Sequence, residues 1–129
     1  MESKGLLWTG RVVSGLITLF LLFDGITHLL MVGPVVDAFN RLGLPLGLGP
    51  AIGITELVCL ALYLVPRTSQ LGVLLLTGYL GGAIAIQLRA GSPIFAETLF
   101  PLYTGIFLWA GLFLRNKQVR AFILLRNQN

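Results

Sequence analysis

The sequence predicts an all-α fold, an integral membrane bundle of four transmembrane helices. Three observations predict it. Of 129 residues, 56% are apolar and only 11% charged, where a soluble domain carries about 25% charged residues. Mean hydropathy is +0.89, and the apolar residues collect in four long runs separated by segments rich in Gly, Pro and charge. A chain so poor in charge cannot cover a water-facing surface, which excludes a soluble enzyme, a disordered tail and a nucleic-acid module. The net charge of +4 comes from nine Lys and Arg scattered between the apolar runs, so it reads as a topology signal and no nucleic-acid partner is expected. The length bounds the chain to one domain, 1–129.

The first span is expected over about 12–32, which at ~1.5 Å per residue crosses a bilayer core of ~30 Å. It is too long for a signal-peptide core and carries Asp24 and His28. From Gly33 to Pro50 the chain turns rich in Gly and Pro and forms a loop. Val35, Val36, Phe39 and Leu42 recur there at helical spacing, so this loop can hold a short interfacial helix over Val35 to Leu42. The second span is placed at about 50–65, closed by Pro66 and Arg67. The third follows at about 71–88 after a very short turn, which makes these two spans antiparallel neighbours. A polar loop, Arg89 to Glu97, leads into the fourth span at about 98–114. The basic tail, 115–129, reads as a solvated end that anchors that span, its segment Val119 to Arg126 being also apt to lie on an anionic leaflet.

Four spans place both termini on one side. Lys4, Arg11, Arg67, Arg115, Lys117, Arg120 and Arg126 fall on that side, and Arg41 and Arg89 on the other. The positive-inside rule makes the terminal side cytoplasmic and the protein a multi-pass resident of the cell's inner (plasma) membrane. Trp8 and Trp109 fit an interfacial aromatic belt on the same side.

An ionisable group at the centre of a span costs roughly 2.5–3.5 kcal/mol on insertion scales, so each needs a partner, a proton or a cavity. Asp24 and His28, four apart, share a face of the first span, and Glu56 lies in the second. Counted at ~1.5 Å per residue from the cytoplasmic ends, Asp24, Glu56, Tyr79 and Tyr103 all fall about 14–18 Å deep, one from each span. His28, Gln87 and Arg89 lie further out. The expectation is a midplane pocket opening outward, with Asp24, Glu56 and His28 as acid/base groups and Tyr79, Tyr103, Gln87 and Arg89 as ligand-binding groups. A metal is not assigned, because the usual facial triad uses two His and one carboxylate and the chain has a single His. A hydrolytic triad is not assigned either, Ser14 lying about 15 Å along the helix from Asp24. Cys59, the single cysteine, reads as a core residue. Gly78 with Gly82, and Gly81 with Ala85, make small-xxx-small pairs that predict tight packing inside the bundle, with a homodimer as the lesser use.

Several stretches carry a resemblance to a family. These are Glu56-Leu57, the Tyr63-Leu64-Val65-Pro66-Arg67-Thr68 turn with Gly72 beyond it, Leu76-Thr77-Gly78-Tyr79-Leu80-Gly81-Gly82-Ala83 followed by Arg89-Ala90-Gly91, and the ending Trp109-Ala110-Gly111-Leu112-Phe113-Leu114-Arg115. In this order they resemble the DoxX-like family of small four-helix bacterial membrane proteins. The chain departs from the expected pattern late in the first span, where His28 stands in place of a Lys or another polar residue. The resemblance implies a four-helix membrane bundle associated with membrane oxidoreductase assemblies, among them thiosulfate:quinone oxidoreduction and oxidative-stress complexes. With no CxxC, no His pair for haem, no zinc motif and no flavin fingerprint, a redox role would have to borrow its cofactor or use a quinone. The expected function is therefore a subunit or accessory of a redox or stress-response assembly, holding an apolar small molecule in the midplane pocket and contacting lipid and a membrane-protein partner or a second copy. The alternatives are a self-contained membrane enzyme doing isomerase-type acid/base chemistry, and a packing or transport module without chemistry.

Overall fold

A computed structural model describes residues 4–124 and is all-helical over them. In chain order the elements are α1 (Lys4–Leu30), α2 (Gly33–Leu42), α3 (Leu48–Leu64), α4 (Ser69–Arg89), a π-helical turn (Ile94–Thr98), α5 (Phe100–Arg115) and α6 (Lys117–Ile123). Three stretches are long and apolar enough to cross a membrane: α1, α4, and the π turn continued by α5. α3, with 17 residues, is about 25 Å long and sits at the lower limit for a span.

The principal packing pairs are α1 with α3 and α5, and α4 with α3 and α5. The four long helices thus form a ring in which α1 faces α4 across the centre. Its core runs through Leu21, Leu60, Tyr63, Val73, Leu76, Leu108 and Leu112. The outward faces keep Leu16, Leu19, Phe23, Leu74 and Phe107 exposed, as a lipid-facing surface requires.

Backbones come close at scattered glycines. A Cβ on Gly10 would lie 2.9 Å from the Arg115 nitrogen, and one on Gly72 would overlap the Tyr63 backbone. The expectation of tight internal packing at Gly78, Gly81 and Gly82 is corrected: all three are exposed, and a Cβ at each meets nothing within 4 Å. The small-residue pattern was right about helix type and wrong about which face turns inward.

At the end of the bundle near the chain termini, a directed chain of hydrogen bonds ties three helices. Arg115 Nε donates to Ser14 Oγ at 3.0 Å, Ser14 Oγ bonds Tyr63 Oη at 3.1 Å, and Tyr63 Oη donates to the Leu108 carbonyl at 2.9 Å. Each hydroxyl donates onward and accepts from behind, so both hydroxyls, Ser14 and Tyr63, are satisfied. Trp109 does not serve the expected belt alone: its Nε1 donates to Thr77 Oγ1 at 2.8 Å, joining α5 to α4. The tail folds back as α6, with Val119 in the core and Arg120 donating to the carbonyls of Phe113 and Leu114 at the end of α5. Positions 125–129 of the predicted tail, Arg126 among them, lie outside the described residues.

At the opposite end α2 and α4 stop in the same way. Gly43 and Gly91 both take φ of 73°. The amide after each glycine reaches back to its helix, Leu44 to the Phe39 carbonyl at 2.9 Å and Ser92 to the Gln87 carbonyl at 3.1 Å, the Schellman arrangement that favours glycine. The short helix expected in the first loop is present as α2, its buried face made by Val35, Phe39 and Leu42. Arg89 donates to the Leu42 carbonyl, and Arg41 pairs with Glu97 at 3.1 Å, so α2 is held against the α4–α5 connection.

Candidate functional site

The site is built where α1 and α3 cross. A Cβ on Gly53 would come 2.7 Å from the Gly25 carbonyl oxygen and 2.8 Å from the Leu29 nitrogen. With no side chain between them the two backbones touch, and the carboxyls of Asp24 and Glu56, close by on either side of the crossing, meet. Asp24, His28 and Glu56 bring ligand-type atoms within 4.8 Å of one another.

Glu56 is wholly buried, at 0% exposure. Its Oε1 accepts from Tyr79 Oη at 3.2 Å, and the Asp24 carboxyl stands within hydrogen-bonding reach of the Glu56 carboxyl. His28 Nδ1 lies 2.7 Å from the Asp24 carbonyl oxygen and 3.5 Å from its carboxylate. A carbonyl only accepts, so Nδ1 carries a hydrogen and Nε2 is the ring nitrogen left for other partners. Thr27 Oγ1 also donates to the Asp24 carbonyl, at 2.8 Å.

These groups border a cavity of about 180 Å³ lined by Asp24 and His28 of α1, Glu56 of α3, Tyr79 and Gln87 of α4, and Thr104 of α5. Phe20 and Phe100, ring centroids 5.5 Å apart, wall it on the α1–α5 side. Of the residues singled out in the sequence, the structure thus brings together Asp24, His28, Glu56, Tyr79 and Gln87. Tyr103 and Arg89 stand elsewhere. The Tyr103 hydroxyl donates to the Phe95 carbonyl at 3.0 Å and closes the π turn onto α5, while Arg89 caps α2. One residue of helix turns a side chain by about 100°, and it is Thr104, next to Tyr103, that lines the cavity. A readable signal marks Thr104: Pro101, Thr104, Leu108 and Leu112 are buried at helical spacing along α5.

One imidazole and two carboxylates can also ligate a divalent ion, although the set inverts the two-His-one-carboxylate ratio of common sites and His28 Nδ1 is already engaged. Proton-transfer chemistry and hydrogen bonding to a polar ring make fuller use of what is there: two carboxyls, an imidazole, a phenol, an amide and a hydroxyl around one cavity.

An all-helical chain with three apolar helices of spanning length, exposing aliphatic and aromatic side chains outward and polar ones inward, is a multi-pass membrane protein in contact with the lipid bilayer. The DoxX-like family model matches residues 12–111, which include all of these site residues, and the chain belongs to the DoxX-like family. No curated protein matches it, and no solved structure does.

Proposed function

We propose that this protein holds the polar head of a membrane-dissolved small molecule, a quinone ring being the best fit, and that it serves as a subunit or accessory of a membrane redox or stress-response assembly. The observation that carries the reading is the wholly buried Glu56 carboxyl, gathered with Asp24 and His28 within 4.8 Å at the floor of a cavity. Burying such a group is expensive, and a structural hydrogen bond between helices, averaging about 0.6 kcal/mol, does not require an acid. A cavity of about 180 Å³ suits one substituted ring, since an apolar cavity of about 150 Å³ takes benzene. A quinone supplies two-electron chemistry, and this chain supplies positioning and protons. The Gln87 amide N–H can donate to a ring carbonyl, His28 Nε2 and the Tyr79 oxygen can accept from the hydroxyls of the reduced ring, and the two carboxyls can deliver or accept protons there. With one Cys and one His in the whole chain, the electrons come from a partner protein.

The test is thermal unfolding in lipid nanodiscs with decyl-tailed dimethoxy-methyl-benzoquinone. Saturation at about a hundred times Kd stabilises a binding protein by about 2.7 kcal/mol, so Tm is expected to rise by several degrees in the wild type. An unchanged Tm at saturating probe would overturn the reading. A second reading, acid/base catalysis on an apolar substrate, is favoured by the pairing of Asp24 with Glu56; it requires turnover by the isolated protein that Asp24→Asn abolishes.

The same proposal takes α3 as a fourth span and places both termini in the cytoplasm, with the protein in the inner (plasma) membrane. What supports it is the distribution of charge: Arg11 and Arg115 lie at the end holding Ser14, and Arg41 and Arg89 at the end holding α2. Single cysteines placed by Asp37→Cys and Lys117→Cys in a Cys59→Ala background report the sides. An impermeant maleimide applied to spheroplasts is expected to label the first and to reach the second only after lysis; the opposite pattern would invert the topology.

A further inference from the structure

A second cavity, of about 280 Å³, adjoins the one that holds the acid cluster. The two share His28, Tyr79, Ala83 and Gln87 as a common wall, so they are neighbouring chambers, the one that holds the acids being called inner and the other outer. Their linings differ in kind. The inner chamber gathers the carboxyls, while beyond the shared wall the outer one is bounded by Phe39, Leu42 and Leu44 from the α2 region, Ile52 of α3, and Gly82 and Ile86 of α4. Phe39 lies tilted against His28, ring centroids 5.8 Å apart, on the outer side of that wall.

On α4 the outer chamber is bordered by a residue with no side chain. Gly82 is exposed, and a Cβ there would meet nothing within 4 Å. Beyond His28, Tyr79 and Gln87 the lining of the outer chamber is wholly apolar, the surface a ligand arriving from lipid would need, while the charged Arg41–Glu97 pair belongs to the α2 side.

We propose that the ligand is an amphiphile, a single hydrogen-bonding ring in the inner chamber with an apolar tail lying in the outer one, and that it enters laterally from the membrane past Gly82. This rests on the reading that the inner chamber takes a ring. The tail gives the molecule its orientation. Because the tail exchanges lipid for a lipid-like wall, its contribution is geometric and not a general hydrophobic gain.

The experiment compares two probes, dimethoxy-methyl-benzoquinone with and without its decyl tail, each titrated by mole fraction in nanodiscs and read as the half-saturating point of the Tm shift. Gly82→Leu fills the outer chamber at a position with room for a side chain, and Ile86→Trp fills it from a second one. Both variants are expected to raise the half-saturating fraction of the tailed probe at least ten-fold and to leave that of the tail-less ring within two-fold. Unchanged binding of the tailed probe in both variants would overturn the lateral path while leaving the inner site standing. Equal loss of both probes would overturn the division into two chambers. Failure of either probe to shift wild-type Tm would overturn the inner site itself, and with it this proposal.

Discussion

Exchanging Glu56 for Gln is expected to empty the site and, in the same molecule, to raise thermal stability. Glu56 is shut off from water, with Oε1 held by Tyr79 and its carboxyl crowded against that of Asp24, two acceptor groups side by side. Two acceptor groups held together out of water cost at least as much as a buried polar atom left without a partner, roughly 1–3 kcal/mol. Gln has the same shape, keeps the bond to Tyr79 through its carbonyl oxygen, and turns an amide N–H toward the Asp24 carboxylate where Glu presents a second acceptor. The fold therefore gains about 1 kcal/mol or more, while the ring ligand loses its proton partner. A residue retained for packing alone gives the reverse: Glu56→Gln would then lower Tm and leave bound ligand unchanged. Tm and ligand content measured on one preparation separate the two, and stabilisation together with loss of function is the pattern of a site that trades stability for activity.

The second large effect comes from a residue with no polar atoms in its side chain. Gly53→Ala is expected to cost about 1–3 kcal/mol through overpacking and to abolish binding of the tail-less and the tailed ring alike. The added methyl would lie 2.7 Å from the Gly25 oxygen and 2.8 Å from the Leu29 nitrogen, both backbone atoms that cannot rotate away. α1 and α3 must then move apart, which pulls Asp24 from Glu56. Gly25→Ala is the internal control. Its methyl meets the Leu57 side chain, at 2.7 Å, which can adopt another rotamer, so the loss there is expected to be smaller. Equal Tm and equal binding for Gly53→Ala and the wild type would show that the helix crossing does not set the carboxyl spacing.

The parts of this structure that were legible in the sequence follow from one-dimensional quantities. Run length and hydropathy located the long helices, the spacing of Val35, Phe39 and Leu42 located α2, and counting residues from the span ends set Asp24, Glu56 and Tyr79 at a common depth. What was not legible depends on rotation and on pairing between distant segments. Tyr103 and Thr104 share a depth, but only one faces inward, and the deciding cue is the buried stripe through Leu108 and Leu112. The close approaches that matter, Gly53 with Gly25 and Gly111 with Ser14, join different helices and form no local motif, whereas the local motif at Gly78 and Gly82 lies on an open face. Arg115 shows the same limit. Its position after an apolar run reads as a topology signal, yet its guanidinium turns back over the Tyr63 ring at 5.1 Å and bonds Ser14.

The central claim is that Asp24, His28, Glu56 and Tyr79 form a binding site and not a packing contact. Native mass spectrometry of protein released gently from its own membrane, with extraction of the bound lipid and quinone fraction, tests it most directly when wild type and Glu56→Gln are compared. The account predicts a defined small molecule, one per chain, in the wild type and its loss from a variant that unfolds at the same or a higher temperature. The same bulk lipid in both, with no discrete ligand in either, would contradict it and leave Glu56 as a helix-packing residue.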